Sequence, residues 1–142
     1  MGEVEGVLVL RRCLEEFNRR DLERVAACYA DDVEHVVPAL GMVWRGLAQR
    51  RAELSRLWLA SPDARVRLVE AHGDGRHAAG EWVLSGTSER PYRDLPATGR
   101  RFELAGVTCV TLEQGRIRRQ VDYWDLATLL RQLGLLAPAG TR

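Results

Sequence analysis

The sequence predicts an α+β fold in which three amino-terminal helices pack on one face of a curved, mostly antiparallel sheet, with a short carboxy-terminal helix. Three observations lead there. Before Ser61, apolar side chains recur at steps of three and four residues. From Arg65 onward the period falls to two, and two turn signals, Gly73-Asp74-Gly75 and Glu113-Gln114-Gly115, each separate a pair of β-like runs. The length, 142 residues, suits one domain, expected over 1–136 with 137–142 as a flexible tail rich in Pro, Gly and small residues.

Taken in order, Val7, Leu10, Leu14 and Phe17 form the stripe of a first helix that ends at Asn18. Asp21 is a good cap for a short second helix carrying Leu22, Val25, Ala26 and Tyr29, broken by Asp31-Asp32 before an extended piece from Val33 to Pro38. Gly41 to Gly46 reads as a loop, and Leu47, Leu54, Leu57 and Trp58 outline a third helix that stops at Ser61-Pro62-Asp63. Two hairpins follow, Arg65 to Ala71 with His77 to Thr87, and Arg100 to Leu112 with Arg116 to Trp124. Asp125 caps a last helix, Leu126 to Leu133, stopped by Gly134.

Composition excludes several classes. Apolar residues at 46% and charged residues at 29% are ordinary globular values, and no apolar run approaches the ~20 residues of a membrane span. Every basic residue is Arg, yet 21 basic against 20 acidic residues leave a net charge of +1, with no electrostatic footprint for nucleic acid or an anionic membrane. The Arg doublets, Arg50-Arg51 among them, read as solvated faces. Cys13, Cys28 and Cys109 are odd in number and lack metal-like spacing, so they read as buried thiols. The acidic start, Glu3 and Glu5, is unlike a secretion signal, and a cytoplasmic location is expected.

The chain also carries Phe17 to Leu22, Tyr29 to Val33, Ser61-Pro62-Asp63, Gly80 to Thr87, Leu95 to Arg100, Gly115 to Asp125 and Gln132-Leu133-Gly134 in that order and spacing. In this it resembles the SnoaL-like polyketide cyclases of the nuclear-transport-factor-like superfamily, whose curved sheets are cone-shaped. The resemblance implies a small, commonly self-associating α+β barrel, here expected as a homodimer. It also implies ring closure or isomerisation of a hydrophobic, possibly polycyclic carbonyl substrate without metal or organic cofactor. In such cyclases a carboxylate late in the last strand is the general acid/base of an intramolecular aldol step, and Asp122 matches that position. A non-catalytic binding domain is the alternative; epoxide hydrolysis ranks lower, because the Arg and Asp of limonene-type hydrolases are replaced by Trp82 and Leu84.

Alternation puts Gln120, Asp122 and Trp124 on one strand face and Ile117, Arg119, Val121 and Tyr123 on the other. A cavity-facing Asp122 in partly apolar surroundings is expected to have a raised pKa; the competing role is an ion pair with Arg118. His35 is the best-placed histidine, able to position or protonate an enol oxygen. However, it stands one residue before the position usual in the family, which predicts an edge or surface placement. Trp82 and Trp124 are expected as walls against a flat substrate, with Gln120, Trp58 and Tyr29 completing the substrate-binding set. Ser88 to Gly99 is long for a turn and reads as a rim, where Arg90, Arg93 and Arg100 offer charges to an acidic or phenolic ligand.

Overall fold

The computed structural model describes residues 4–138 and 140. Half of the expected tail, residues 139, 141 and 142, lies outside the described residues. Helix α1 (Glu5–Arg19) buries Val7, Leu10, Cys13 and Phe17 and packs against the strands of the first hairpin. It ends one turn residue later than expected, with Arg20 in the left-handed conformation. Asp21 caps α2 (Leu22–Ala26), its side chain accepting from the Arg24 amide at 3.0 Å.

Tyr29 does not belong to α2. It begins β1 (Tyr29–Val37), and Asp31 and Asp32 lie inside that strand rather than breaking a helix. The reason is pairing: Tyr29 sits opposite Ile117 of the last strand, and an irregularity between Tyr29 and Glu34 takes up the extra residues. A 3-10 turn (Pro38–Leu40) then leads into β2 (Met42–Arg45), an edge strand where a loop was expected. Helix α3 (Gly46–Ala60) crosses β1, with Leu54 fully buried.

The two hairpins fall where the turn signals put them: β3 (Arg65–Gly73) with β4 (His77–Thr87), and β5 (Arg101–Glu113) with β6 (Arg116–Trp124). Asp74 closes the first turn by accepting from the amides of Arg76 and His77 at 2.8 and 2.7 Å. Gln114 and Gly115, both at positive φ, close the second. Asp125 caps α4 (Leu126–Gln132) through the Ala127 amide at 3.2 Å.

The six strands form one sheet in the order β2-β1-β6-β5-β4-β3, antiparallel except for the β1–β6 pair. The sheet is open, with β2 and β3 at its edges, so it is not the closed barrel that the resemblance implied. Its inner face carries Leu104, Thr108, Val110, Leu112 and Gln120, all buried, while Val107 and Tyr123 are exposed on the outer face. A register shift opposite Thr111 and Leu112 moves Ile117 into the core, contrary to the simple alternation that put it with Arg119 and Val121. No helix among the described residues is long and apolar enough to cross a membrane.

Candidate active site

Between α1, α3 and the inner face of the sheet lies a cavity of about 190 Å³. Three adjacent strands deliver its polar groups. Asp122 on β6 stands opposite Thr108 on β5, and Gln120 on β6 stands opposite His35 on β1. Inward-facing positions of neighbouring strands therefore converge on one point.

Asp122 is held from several sides. His35 Nε2 lies 2.6 Å from its Oδ2, the Thr108 hydroxyl donates to Oδ1 at 2.7 Å, and Gln120 Nε2 donates to Oδ1 at 3.0 Å. Thr108 is fixed in turn by the Trp82 indole N–H at 2.7 Å. Gln120 accepts from the Tyr29 hydroxyl at 2.9 Å, and Tyr29 accepts from Arg50 Nη2 at 3.1 Å. Burial pushes the Tyr29 phenol well above its usual pKa, which keeps it a neutral hydroxyl and fixes the direction of that chain.

Burial by itself would raise the Asp122 carboxyl, but His35, the Thr108 hydroxyl and the Arg50 charge outweigh it and hold the pKa at about 2. The expected upward shift is thus corrected: burial is present, but donors aimed at the ionised form dominate. His35 moves below the usual imidazole value because of its burial and the nearby Arg50 cation, opposed only in part by Asp122. At neutral pH the pair is a carboxylate and a neutral imidazole, with the proton on Nε2 toward Asp122. Nδ1, with its lone pair, has no hydrogen-bond partner.

The expected edge or surface placement of His35 is likewise corrected, since it is 3% exposed and lines the cavity. Its neighbours at two-residue spacing, Val33 and Val37, are buried with it, and that alternation overrides the family offset. Arg118 does not pair with Asp122; it meets the exposed acids Asp32 at 3.2 Å and Glu113 at 3.8 Å. Trp82 and Trp124 line the cavity on either side of Gly106, with which both are in register. A Cβ at Gly106 would come within 2.4 Å of the Trp82 ring, so only glycine admits the indole there. Gln120 also lines the cavity, but Tyr29 and Trp58 do not. Tyr29 lies beneath it as a link between Arg50 and Gln120, and Trp58 packs on Phe17 with ring centroids 5.5 Å apart.

Glu53 and Thr108 were not singled out in the sequence, and the reading of Arg50 as part of a solvated doublet is corrected, because it is 8% exposed. All are buried and all line the cavity. Arg50 continues the α3 stripe of Leu47 and Leu54, a spacing that distinguishes it from its half-buried doublet partner. Glu53 anchors the rim: it bonds Arg93 at 2.5 Å and Arg56 at 3.0 Å, and takes a short hydrogen bond from Tyr92. Arg93 is therefore committed to Glu53, Arg90 donates to the Leu59 carbonyl at 3.1 Å, and Arg100 lies against Gly134 rather than in the cavity.

Helices laid across the inner face of an open, mostly antiparallel sheet, enclosing an apolar cavity with a half-buried carboxylate, define the cone-shaped scaffold of the nuclear-transport-factor-like superfamily. Within it, the chain belongs to the SnoaL-like polyketide cyclase family, whose model matches residues 7–133. Among solved structures it is similar to TsrD from Streptomyces laurentii, at 27% identity over 96% of this chain and 99% of that one, with a TM-score of 0.83. A Xanthomonas campestris protein provisionally described as a polyketide cyclase matches at 25% identity over 91% and 96% of the two chains, with a TM-score of 0.79. A Catenulispora acidiphila protein with a ketosteroid isomerase-like fold shares the fold at 20% identity, covering 91% and 94%, with a TM-score of 0.79. A search of curated proteins gives no match.

Proposed function

We propose that the protein is a cyclase or isomerase that moves a proton at a carbon next to a carbonyl, on a hydrophobic substrate held in the cavity, with the His35–Asp122 pair as its acid–base unit. The observation that carries this reading is the 2.6 Å contact between an ionised Asp122 and a neutral His35 in a cavity walled by Trp82, Trp124 and Leu84. In an intramolecular aldol closure the pair takes the proton, and the C–H electrons form an enolate. The enolate carbon bonds to a second carbonyl of the same molecule, and the resulting alkoxide takes the proton back. No redox change occurs, so the pair returns to its starting state. Trp82 and Leu84 at the two positions where limonene-type hydrolases need Arg and Asp argue against epoxide opening.

A second reading, a ligand-binding domain without turnover, draws on the low pKa of Asp122, which makes the isolated carboxylate a weak base. Turnover of a tricyclic β-keto ester, followed by the loss of its enol absorbance, decides between the two. Ring closure that disappears in both Asp122→Asn and His35→Gln supports the cyclase; stoichiometric binding without product supports the binding domain.

A further inference from the structure

We propose that Arg50 is an oxyanion-binding group: the cavity selects planar, largely apolar compounds that carry an enolate or phenolate oxygen, and that oxygen docks on the Arg50 guanidinium. This rests on the cavity being a small-molecule site, as in the function proposed above, and extends it by naming the charge the ligand presents.

The argument begins with cost. Placing a guanidinium out of water is expensive unless a carboxylate or several acceptors meet it. Arg50 is 8% exposed, yet among the described residues no carboxylate lies within salt-bridge distance of it. Its hydrogen bond runs from Nη2 to the neutral Tyr29 hydroxyl at 3.1 Å, its plane lies over the Tyr29 ring at 5.1 Å, and its Nε is buried without a partner. A guanidinium has five N–H donors in a fixed fork suited to oxyanions. Arg50 is therefore a buried cation with most of its donors unused, on the wall of a cavity.

The protein had an acid at hand to neutralise it. Glu53, one turn along the same helix, is equally buried but is bonded to Arg56, Arg93 and Tyr92 at the rim. Asp122 influences Arg50 through space, but its oxygens are engaged by His35, Thr108 and Gln120. The missing acceptor thus fits a ligand oxygen. Charge balance favours one that becomes negative as the His35–Asp122 pair loses its charge by taking a proton: beside the rim charges, which pair among themselves or with the backbone, the floor then holds one cation and one anion before and after transfer. This is preorganised stabilisation of a developing oxyanion.

The test reads binding and not turnover, so its failure is distinct from failure of the proposed catalysis. In Asp122→Asn the pair carries no net charge, as it does once it holds the substrate proton. The probe is 4-nitrophenol, whose ionised form absorbs visible light. Bound to Asp122→Asn, its apparent pKa should fall by about one to two pH units below the free value, a preference of ~10- to 100-fold for the anion. Adding Arg50→Met should reverse the sign and raise that pKa above the free value, because an apolar pocket penalises the phenolate. A bound probe whose pKa is unchanged by Arg50→Met, or already raised in Asp122→Asn, overturns the proposal, as does absence of binding. Should the double variant fail to fold, Asp122→Asn is tested with 4-nitroanisole, the neutral isostere. The phenolate must then bind at least about ten-fold more tightly at alkaline pH, and equal affinity overturns the proposal.

Discussion

Arg50 and Glu53 occupy successive turns of α3, are similarly buried, and face the same cavity, but their surroundings are opposite. At the rim both Glu53 oxygens are taken: Arg56 and Arg93 meet Oε1, and the Tyr92 hydroxyl meets Oε2. On the floor, Arg50 Nε and His35 Nδ1 are buried with no partner; the rim's Arg93 Nε is too, but its guanidinium is paired with Glu53 whereas that of Arg50 meets no carboxylate among the described residues. Buried charges are normally paired, so Glu53 with its two arginines marks architecture, and Arg50, a buried cation with no carboxylate against it among the described residues, marks a place where an anion can bind. The rim fixes the loop from Ser88 to Gly99 on α3; the floor is left chemically open.

The largest test of this contrast is on the floor. Asp122→Asn keeps the size of the side chain and loses its charge, and His35→Gln keeps a polar group of similar reach. Each is expected to lower kcat by about 10²–10⁴-fold while leaving the far-ultraviolet circular dichroism unchanged. Because the pair works with neutral imidazole, kcat/KM should be level at neutral pH and fall as acid titrates His35, at a pH below the ordinary imidazole value of about 6.5. A profile that instead rises on acidification would show the protonated pair to be the active form.

At the rim the same kind of change should act on stability. Glu53→Gln removes the charge that meets Arg93 and Arg56 and leaves those guanidinium groups short of an acceptor. It is expected to cost about 1–3 kcal/mol in urea denaturation. A large loss of turnover in Glu53→Gln with unchanged stability would erase the distinction between rim and floor.

A smaller effect separates the two through pH. The unfolded chain protonates His35 near pH ~6.5, whereas the folded chain resists because its pKa is lowered. The unfolded state therefore binds more protons on acidification, so this contribution is present above about pH 6.5 and is lost as the pH falls. The urea midpoint of the wild type should drop between about pH 7.5 and about pH 5.5, and His35→Gln should drop less. Asp122, depressed to about 2, adds a further loss only below its unfolded value of about 3.9.

Much of the floor was legible in the strands. Period-two alternation put Gln120, Asp122 and Trp124 on one face, and all three line the cavity. It failed at Ile117, where the register shift opposite Thr111 and Leu112 changes the face, and a bulge leaves no mark in an apolar pattern. His35 was misplaced because an offset from other sequences was weighed above its own buried neighbours, Val33 and Val37. Arg50 escaped because a charged residue on a helix is read as solvated, and its burial away from any carboxylate exists only once β1, β6 and α3 meet. The helix-then-hairpin order was robust, since it rests on capping and turn residues that act locally: Asp21, Asp74, Gly115 and Asp125.

The smallest expected effect is a control at the end of the strand that carries Asp122. Asp125 follows it by less than one helical turn of sequence, yet its carboxylate is in solvent, accepting from the Ala127 amide at 3.2 Å and the Thr128 hydroxyl at 2.7 Å. Those bonds hold its pKa below the usual carboxylate value and define a helix cap. Asn caps helices about as well as Asp, so Asp125→Asn should leave both kcat and the urea midpoint at wild-type values. Asp125→Ala removes the acceptor and should lower the midpoint through α4 without changing the pH profile of turnover. If Asp125→Asn matched Asp122→Asn in its loss of kcat, the acid–base function would belong to the whole strand end, and the partnerless atoms on the floor would lose their meaning.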